Sequence, residues 1–234
     1  MSQTLYQQRL MSAAEAVALI PSSAQVAMGL GFSQPPAILA ALADRARAGK
    51  VTDVSLYYLL STGIAGETVL KDELMGRIRP VSLFHSATER GLEARAREAG
   101  RPNPVTFIPT GFQQVPRLLR EAGVDTLICT VSSMDEDGCF SFGTNTDYNK
   151  PVSDHAERII LEVNPAMPRT MGDSTLHLDQ IHALVAVHTP IIEYTHPSTP
   201  TQVVEQIARY ISGIIEDGST LQVGLGRVTN EALK

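Results

Sequence analysis

The chain has 234 residues, of which 43% are apolar and 19% charged, enough apolar material for one domain or slightly more. Its formal net charge of −6 argues against nucleic acid or an anionic membrane as the main partner, and we expect neither a membrane span nor a signal peptide. Two cysteines, Cys129 and Cys139, fit no metal or redox motif and favour a reduced, cytoplasmic compartment, with Cys129 as a small core residue.

Helical and strand-like segments alternate along most of the chain. The predicted helices are 4–20, 37–48, 67–75, 87–99, 113–122, a short one after Pro151, and 202–216. The predicted strands are the segment from Gln25 up to the first glycines, 51–60, 81–85, 105–108, 126–131, 159–163, 183–187 and 191–193. This alternation predicts an α/β domain with an open, largely parallel sheet covered by helices, on which ligands bind beyond the carboxyl ends of the strands.

A glycine turn joins the first predicted strand to the helix that follows it. Gly29 and Gly31 form the turn, and Pro35 leads into the helix. Glycine has no Cβ, so the chain can approach a ligand closely, and the unpaired N–H groups at a helix N-terminus favour a phosphate or a carboxylate. A plain tight turn remains the alternative, because Gln34 replaces the third glycine of a dinucleotide fingerprint.

The same unit returns near the end of the chain. Residues 220–223 predict a strand, and Gly224 and Gly226 repeat the glycine spacing before another helix. The helices that precede the two turns align without a gap, which indicates an internal duplication. We therefore expect a first α/β domain over residues 1–196 and the opening of a second, similar domain over 197–234.

Three further patterns suggest chemistry, and each has a plainer interpretation. The acidic run 135–138 lacks the ligand spacing and closing glutamate of a calcium loop, so a solvated turn is favoured. His177 and His182 would not share a helix face, and we expect no metal. Ser132 lacks the glycine-flanked elbow that presents a nucleophile.

Arg169 lies in an irregular, proline-containing connection, where an arginine can hold a carboxylate or a phosphate through two parallel hydrogen bonds. Its alternative is a structural role, with hydrogen bonds to backbone carbonyls. Four aromatic side chains could line an acyl pocket, although core packing is expected for at least half of them. These are Tyr57, Tyr58, Phe140 and Phe142.

Three segments resemble the acetyl-CoA hydrolase/transferase family, which includes 4-hydroxybutyrate, acetate and succinate CoA-transferases. They are VSSMDEDGCFSFG (131–143), EVNPAMPRTMGDS (162–174) and LQVGLG (221–226). The resemblance covers nearly the whole chain in the family's order. It implies two similar open α/β domains in one polypeptide, of which this chain resembles the first and the opening of the second.

The resemblance also implies covalent chemistry on an acyl-CoA. A glutamate carboxylate forms a mixed anhydride and then a glutamyl-CoA thioester, which a carboxylate or water resolves. The family's CoA-binding turn is matched by Gly224, Leu225, Gly226, Arg227 and Val228. The acyl or carboxylate pocket is expected to involve Gly29, Gly31, Pro35, Gln222 and Arg169. Coenzyme A is then a substrate rather than a tightly bound cofactor.

The resemblance leaves one catalytic group without a position in this chain. The nucleophilic glutamate is expected beyond Lys234, because the residues around Glu67, Glu162 and Glu193 do not match those around the family's nucleophile. This piece alone should therefore be inactive. The remainder of the second domain is an expected partner, and a homo-oligomer is expected. An acyl-CoA hydrolase, a non-catalytic module binding an anionic metabolite, and a sugar-phosphate isomerase-like fold stay open as alternatives.

Overall fold

The computed structural model describes residues 2–192, 199–224 and 226–234. The chain divides into two compact units, Met1–Ile191 and Ile192–Lys234. The boundary predicted after residue 196 falls among residues 193–198, outside the described residues, so the domain assignment stays a prediction.

A parallel sheet of seven strands forms the centre of the first unit. The strands of the described chain are β1 (Gln25–Met28), β2 (Val54–Leu59), β3 (Ile78–Phe84), β4 (Thr106–Phe107), β5 (Thr126–Val131), β6 (Cys139–Ser141), β7 (Arg158–Val163), β8 (Thr175–His177) and β9 (Ala183–Ala186). The order in the sheet is β4-β3-β2-β1-β5-β7-β9, and each neighbouring pair is parallel. β6 and β8 form a separate antiparallel pair. The predicted open, parallel α/β sheet is confirmed.

Helices connect the strands. Those of the described residues are α1 (Ser2–Arg9), α2 (Ala13–Ala18), α3 (Pro36–Arg47), α4 (Gly63–Glu67), α5 (Ala87–Glu98), α6 (Val115–Glu121), α7 (Asn149–Ser153), α8 (Gln202–Ser212) and α9 (Arg227–Ala232). Short 3-10 turns lie at Gly31–Ser33, Asp72–Leu74, Phe112–Gln114 and Leu178–Gln180. None of the helices in the described ranges combines the length and the apolar character needed to cross a bilayer.

Local signals explain where the two longest helices begin and end. α3 has Pro36 at its first position, where a missing N–H costs nothing, and it stops before Gly49, whose φ is +69°. α5 begins with a capping box between Ser86 and Glu89 and stops before Gly100, whose φ is +62°.

Alternate strand positions supply two cores, one on each face of the sheet. In β1, Val26 and Met28 pack with α2 and α3, whereas Ala27 packs with α6 and α7 on the other face. Tyr58, Phe140 and Phe142 are fully buried, and Tyr57 is nearly so, which confirms their predicted core role. Cys129 is a buried free thiol, as predicted.

The predicted helix 4–20 is wrong because the chain breaks into α1 and α2. Ser12 and Glu15 form a capping box that starts α2, and Met11 N–H donates to the Leu184 carbonyl at 2.9 Å. The predicted helix 67–75 is also wrong. α4 begins earlier because the Thr62 side chain caps it by accepting the Ile64 N–H, and only the 3-10 turn Asp72–Leu74 remains of the later part.

Other differences concern short strands. β6 and β8 lie in segments for which the sequence predicted neither a strand nor a helix. Ile191 and Ile192 are not in a strand, and Glu193 lies outside the described residues. Residues 220–223 form no strand either, because the described part of the second unit holds only α8 and α9 and offers no neighbouring strand to pair with.

The second unit is a small helical pair with an exposed apolar stripe. Thr201 caps α8, and α9 begins directly after Gly226. α8 exposes Val203, Ile207 and Tyr210 at helical spacing.

Candidate functional site

Gly29 follows β1 and has no room for a side chain. A Cβ atom there would lie 2.5 Å from the Ser33 carbonyl oxygen and 3.0 Å from the Cys129 Cβ. Gly31 has open space around it but a φ of +50°, which favours glycine. The first glycine therefore permits close packing of the chain, and the second permits the left-handed turn.

The turn presents three consecutive backbone donors. The N–H groups of Leu30, Gly31 and Phe32 make no hydrogen bond to any described residue, whereas the next one, of Ser33, donates to the Leu30 carbonyl at 2.9 Å. Leu30 and Phe32 are partly exposed, whereas Gly31 between them is buried. Successive unpaired N–H groups of this kind can bind a carboxylate or a developing oxyanion.

The N-terminus of α3 is occupied by a side chain of the protein itself. Pro36 has no N–H, and the N–H groups of Ala37 and Ile38 donate to Glu162 Oε2 at 2.8 and 3.1 Å. Pro35, the N-cap residue, makes no side-chain cap. The expectation that these helix N–H groups face a bound anion is therefore wrong for α3, because the Glu162 carboxyl group takes that place.

Glu162 lies near the carboxyl end of β7 and is fully buried. Its Oε1 has no hydrogen-bond partner among the described residues. Burial raises the pKa of this carboxyl group to about 7, against the opposing effect of the hydrogen bonds from Ile38 and Ala37. Because this carboxyl group is buried and already accepts two hydrogen bonds, an acyl-CoA cannot reach it. Glu162 is therefore not assigned as the nucleophile.

Gln34 connects this turn to the turn after β2. Its Oε1 accepts hydrogen bonds from the Thr62 hydroxyl at 2.7 Å and the Thr62 N–H at 3.2 Å, and its Nε2 donates to the Leu60 carbonyl at 3.4 Å. Leu60 has a φ of +44°, a conformation that is uncommon for a bulky residue and is associated with functional or strained sites. The sequence singled out Gln34 only as a missing glycine.

Arg169 already has partners. Its Nη2 forms an ion pair with Asp135, and its Nη1 donates to the Cys139 carbonyl at 3.3 Å. Asp135 also accepts the Cys139 N–H at 2.7 Å, so the acidic run is a turn fixed to its own backbone. This geometry favours the structural role of Arg169 over the pocket role, which stays a prediction.

The histidine and serine candidates bond backbone groups. His177 Nδ1 accepts the Asp179 N–H, His182 Nδ1 accepts the Ile159 N–H, and Ser132 Oγ accepts the Ser141 N–H. No group of three His, Cys, Asp or Glu side chains that could hold a metal occurs within the described ranges.

The second glycine turn lies in the second unit, and Leu225 lies outside the described residues. The Thr229 hydroxyl, with its single proton, is the donor to the carbonyl oxygens of Gly224 and Gly226, which both lie 2.9 Å from Oγ1. Arg227 and Val228 form the start of α9. Gln222 lines a mainly apolar cavity of about 280 Å³ within this unit. The predicted CoA-binding role of these residues stays a prediction.

The chain is similar to known proteins along its length. A family model described as the acetyl-CoA hydrolase/transferase N-terminal domain matches residues 1–216. The chain is 30% identical over 231 residues to the 4-hydroxybutyrate coenzyme A transferase of Clostridium kluyveri, covering 98% of this chain and 51% of that relative. It therefore spans about half the length of such curated relatives.

Two solved structures show the same fold. The crystal structure of RipA from Yersinia pestis superimposes with a TM-score of 0.94 at 40% identity, covering 98% of this chain and 53% of that one. A 4-hydroxybutyrate CoA-transferase from Porphyromonas gingivalis gives a TM-score of 0.78 at 25% identity, covering 100% and 52% of the two chains.

Proposed function

Because the chain belongs to the acetyl-CoA hydrolase/transferase family, we propose that the whole protein moves coenzyme A between an acyl-CoA and a small carboxylic acid. Relatives matched over 98% of this chain are named as CoA-transferases for 4-hydroxybutyrate and for cyclohexane-1-carboxylate. The observation in the structure that supports this most directly is the run of free N–H groups at Leu30, Gly31 and Phe32. Donors of this type stabilise the oxyanion formed in acyl transfer.

The two glycine turns have separate tasks in this proposal. The turn from Gly29 to Pro35 is assigned to the acyl or carboxylate group, and the family resemblance gives Gln222 the same role. The turn from Gly224 to Val228 holds coenzyme A. Arg169 is paired with Asp135 and bonded to the Cys139 carbonyl, and it takes no part in the proposed steps.

The proposed chemistry uses a glutamate that we place in the part of the relatives' length outside this chain. Its carboxylate oxygen attacks the thioester carbonyl, the C–S bond breaks, and CoA thiolate leaves an acyl-glutamyl anhydride. The thiolate then attacks the glutamyl carbonyl and releases the acyl group as a carboxylate. The carboxylate of the incoming acid attacks the glutamyl-CoA thioester and releases CoA thiolate, which then attacks the acyl carbonyl of the new anhydride. The product is the CoA thioester of the incoming acid, and the glutamate is free again, so atoms and charge balance without a metal or a redox partner.

The proposed partners are therefore an acyl-CoA, a small carboxylate and the remainder of a second domain. A homo-oligomer in the cytoplasm is the assembly and location that we propose, on the basis of the family resemblance and the cysteine content.

The test is incubation of the full-length protein with acetyl-CoA and a panel of short carboxylic acids, with mass spectrometric analysis of the thioesters. The proposal predicts a new CoA ester of the added acid, and, when the acid is withheld, a protein adduct heavier than the free protein by the mass of CoA less one water. Free CoA and acetate alone would assign a hydrolase instead, and no conversion of acetyl-CoA would reject both activities. The 234-residue chain by itself is expected to be inactive.

A further inference from the structure

We propose that Glu162 is a positioning residue for the Gly29–Pro35 turn, because its carboxyl group holds the first turn of α3 and so orients the free N–H groups that precede it. The inference rests on the proposed function of that turn. It assigns no chemical step to Glu162 itself.

The contact joins elements that are far apart in the chain. Glu162 lies on β7, two strands away from β1 in the order β1-β5-β7, yet its Oε2 accepts both available N–H groups at the start of α3, from Ala37 and Ile38. Since Pro35 provides no side-chain cap and Pro36 has no N–H, this carboxyl group is the cap of the helix.

Thr130 makes a second contact of the same kind from the strand between them. It is the direct register partner of Glu162 across β5 and β7, and its hydroxyl donates to the Gln34 carbonyl at 3.1 Å. Both strands therefore hold the chain immediately after the three free N–H groups. On the other side, Gly29 N–H donates to the Ile128 carbonyl at 2.9 Å. The donors at 30–32 lie between these fixed points.

A local cap would be sufficient if the only need were to stabilise a helix. α2, α4, α5 and α8 are each capped by a Ser or Thr side chain directly before the helix. In α3 the cap comes instead from across the sheet, so it fixes the helix start relative to β7 as well. Pre-organised donors are effective only when their supporting contacts are rigid.

The chain offers a matched control in Glu89. Glu89 is also fully buried at a helix N-terminus and also has an Oε1 without a partner among the described residues, but it caps α5 through Ser86 and accepts no hydrogen bond from residues 29–38 in the described chain. Substitution of either glutamate by methionine keeps the side-chain length and removes the acceptor. Substitution by glutamine keeps one acceptor oxygen that can take both N–H groups.

The experiment compares Glu162→Met, Glu162→Gln and Glu89→Met in the full-length protein, using CoA transfer from acetyl-CoA and the unfolding free energy of each variant. We expect Glu162→Met to lower kcat about tenfold or more with a nearly unchanged KM for acetyl-CoA, since a small misplacement of oxyanion donors affects the transition state most. Glu162→Gln should stay within about threefold of wild type, and Glu89→Met should lose stability without this loss of kcat.

If Glu162→Met does not fold, Thr130→Val tests the same turn from β5 with a milder change, and a several-fold loss of kcat is expected. If the wild type is active and kcat is unchanged in Glu162→Met, the positioning role is overturned and the proposed function stands. Where Glu162→Met does not fold, an unchanged kcat in Thr130→Val has the same meaning. Equal loss in Glu162→Met and Glu89→Met overturns it as well, because the effect would then be one of general stability. An inactive wild type rejects the proposed function and with it this inference.

Discussion

At the scale of single residues, the candidate site depends on close packing around Gly29. The position after β1 brings the chain back onto the carbonyl oxygen of Ser33 and against Cys129, and both neighbours belong to well-packed structure. A backbone carbonyl cannot move away as the end of a flexible side chain can, so a methyl group at this position has no room.

Gly29→Ala should therefore destabilise the protein by about 1–3 kcal/mol, as is usual for overpacking in a rigid site. Gly63→Ala is the matched control, because a Cβ there meets no atom within 4 Å and Gly63 begins α4. Chemical denaturation of both variants measures the difference. Equal stability of the two variants would show that the turn at Gly29 is loose.

Glu162 gives the protein a specific dependence on pH. Its pKa is about 7 in the folded protein against an ordinary value of 4.5, so the folded state binds this proton more tightly than the unfolded state. The resulting stabilisation is complete below about pH 4.5 and is lost as the pH rises through about 7. Its size across this range is about 2–3 kcal/mol.

The measurement is the unfolding free energy of wild type and Glu162→Gln at about pH 5 and about pH 8. Subtraction of the two proteins removes the contributions of other titrating groups. We expect wild type to lose stability relative to Glu162→Gln as the pH rises. A constant difference between the proteins would mean that the folded carboxyl group titrates normally.

At the scale of elements, the start of α5 is held more firmly than the start of α2, although both carry a Ser/Glu capping box. Ser86 Oγ also lies 2.7 Å from Ser61 Oγ, and the site is partly buried, whereas the box of Ser12 is exposed. Loss of a partly buried cap leaves unpaired groups that water reaches less easily.

Ser86→Ala should cost about 1–2 kcal/mol of unfolding free energy, near the upper end for N-cap residues, and Ser12→Ala about 1 kcal/mol or less. Thermal or chemical denaturation of the two variants compares them directly. A larger cost at Ser12 would contradict this ranking. It would mean that the cap separating α1 from α2 contributes more to stability than the cap supported by the contact between Ser61 and Ser86.

The apolar stripe of α8 tests whether further structure covers the second unit. Val203 and Tyr210 are 67% and 68% exposed, so their replacement by serine should change the stability of the 234-residue chain by less than about 0.5 kcal/mol. If the remainder of a second domain packs on this stripe, the same double variant should cost the full-length protein about 2 kcal/mol or more.

Gln202→Ser on the exposed start of α8 is the control and should be neutral in both proteins. Equal, small effects of the Val203→Ser/Tyr210→Ser variant in the short chain and the full-length protein would mean that nothing covers the stripe.

At the scale of the whole molecule, the fold was predictable where an apolar run in the sequence is bounded by residues that end helices and strands, such as glycine and proline. The run 126–131 became β5 with the predicted bounds, and the alternation of strands and helices predicted the parallel sheet. The break between α1 and α2 was missed because a capping box interrupts a continuous helical pattern.

The site was predictable only in part. The glycines at 29 and 31 mark the turn by their chemistry, whereas the role of Glu162 depends on a contact with Ala37 and Ile38 across the sheet, which no local pattern reveals. The signal that was present is the pair Pro35-Pro36, because two prolines at a helix start offer no local side-chain cap.

The central proposal is that the Gly29–Pro35 turn binds the carboxylic acid and that the Gly224–Val228 turn binds coenzyme A. The most direct test is a crystal structure of the full-length protein with coenzyme A and a short carboxylic acid bound. We expect the acid within hydrogen-bond distance of the N–H groups of Leu30, Gly31 and Phe32, and coenzyme A against residues 224–228. An acid bound away from the Gly29–Pro35 turn, or coenzyme A bound away from residues 224–228, would contradict this account.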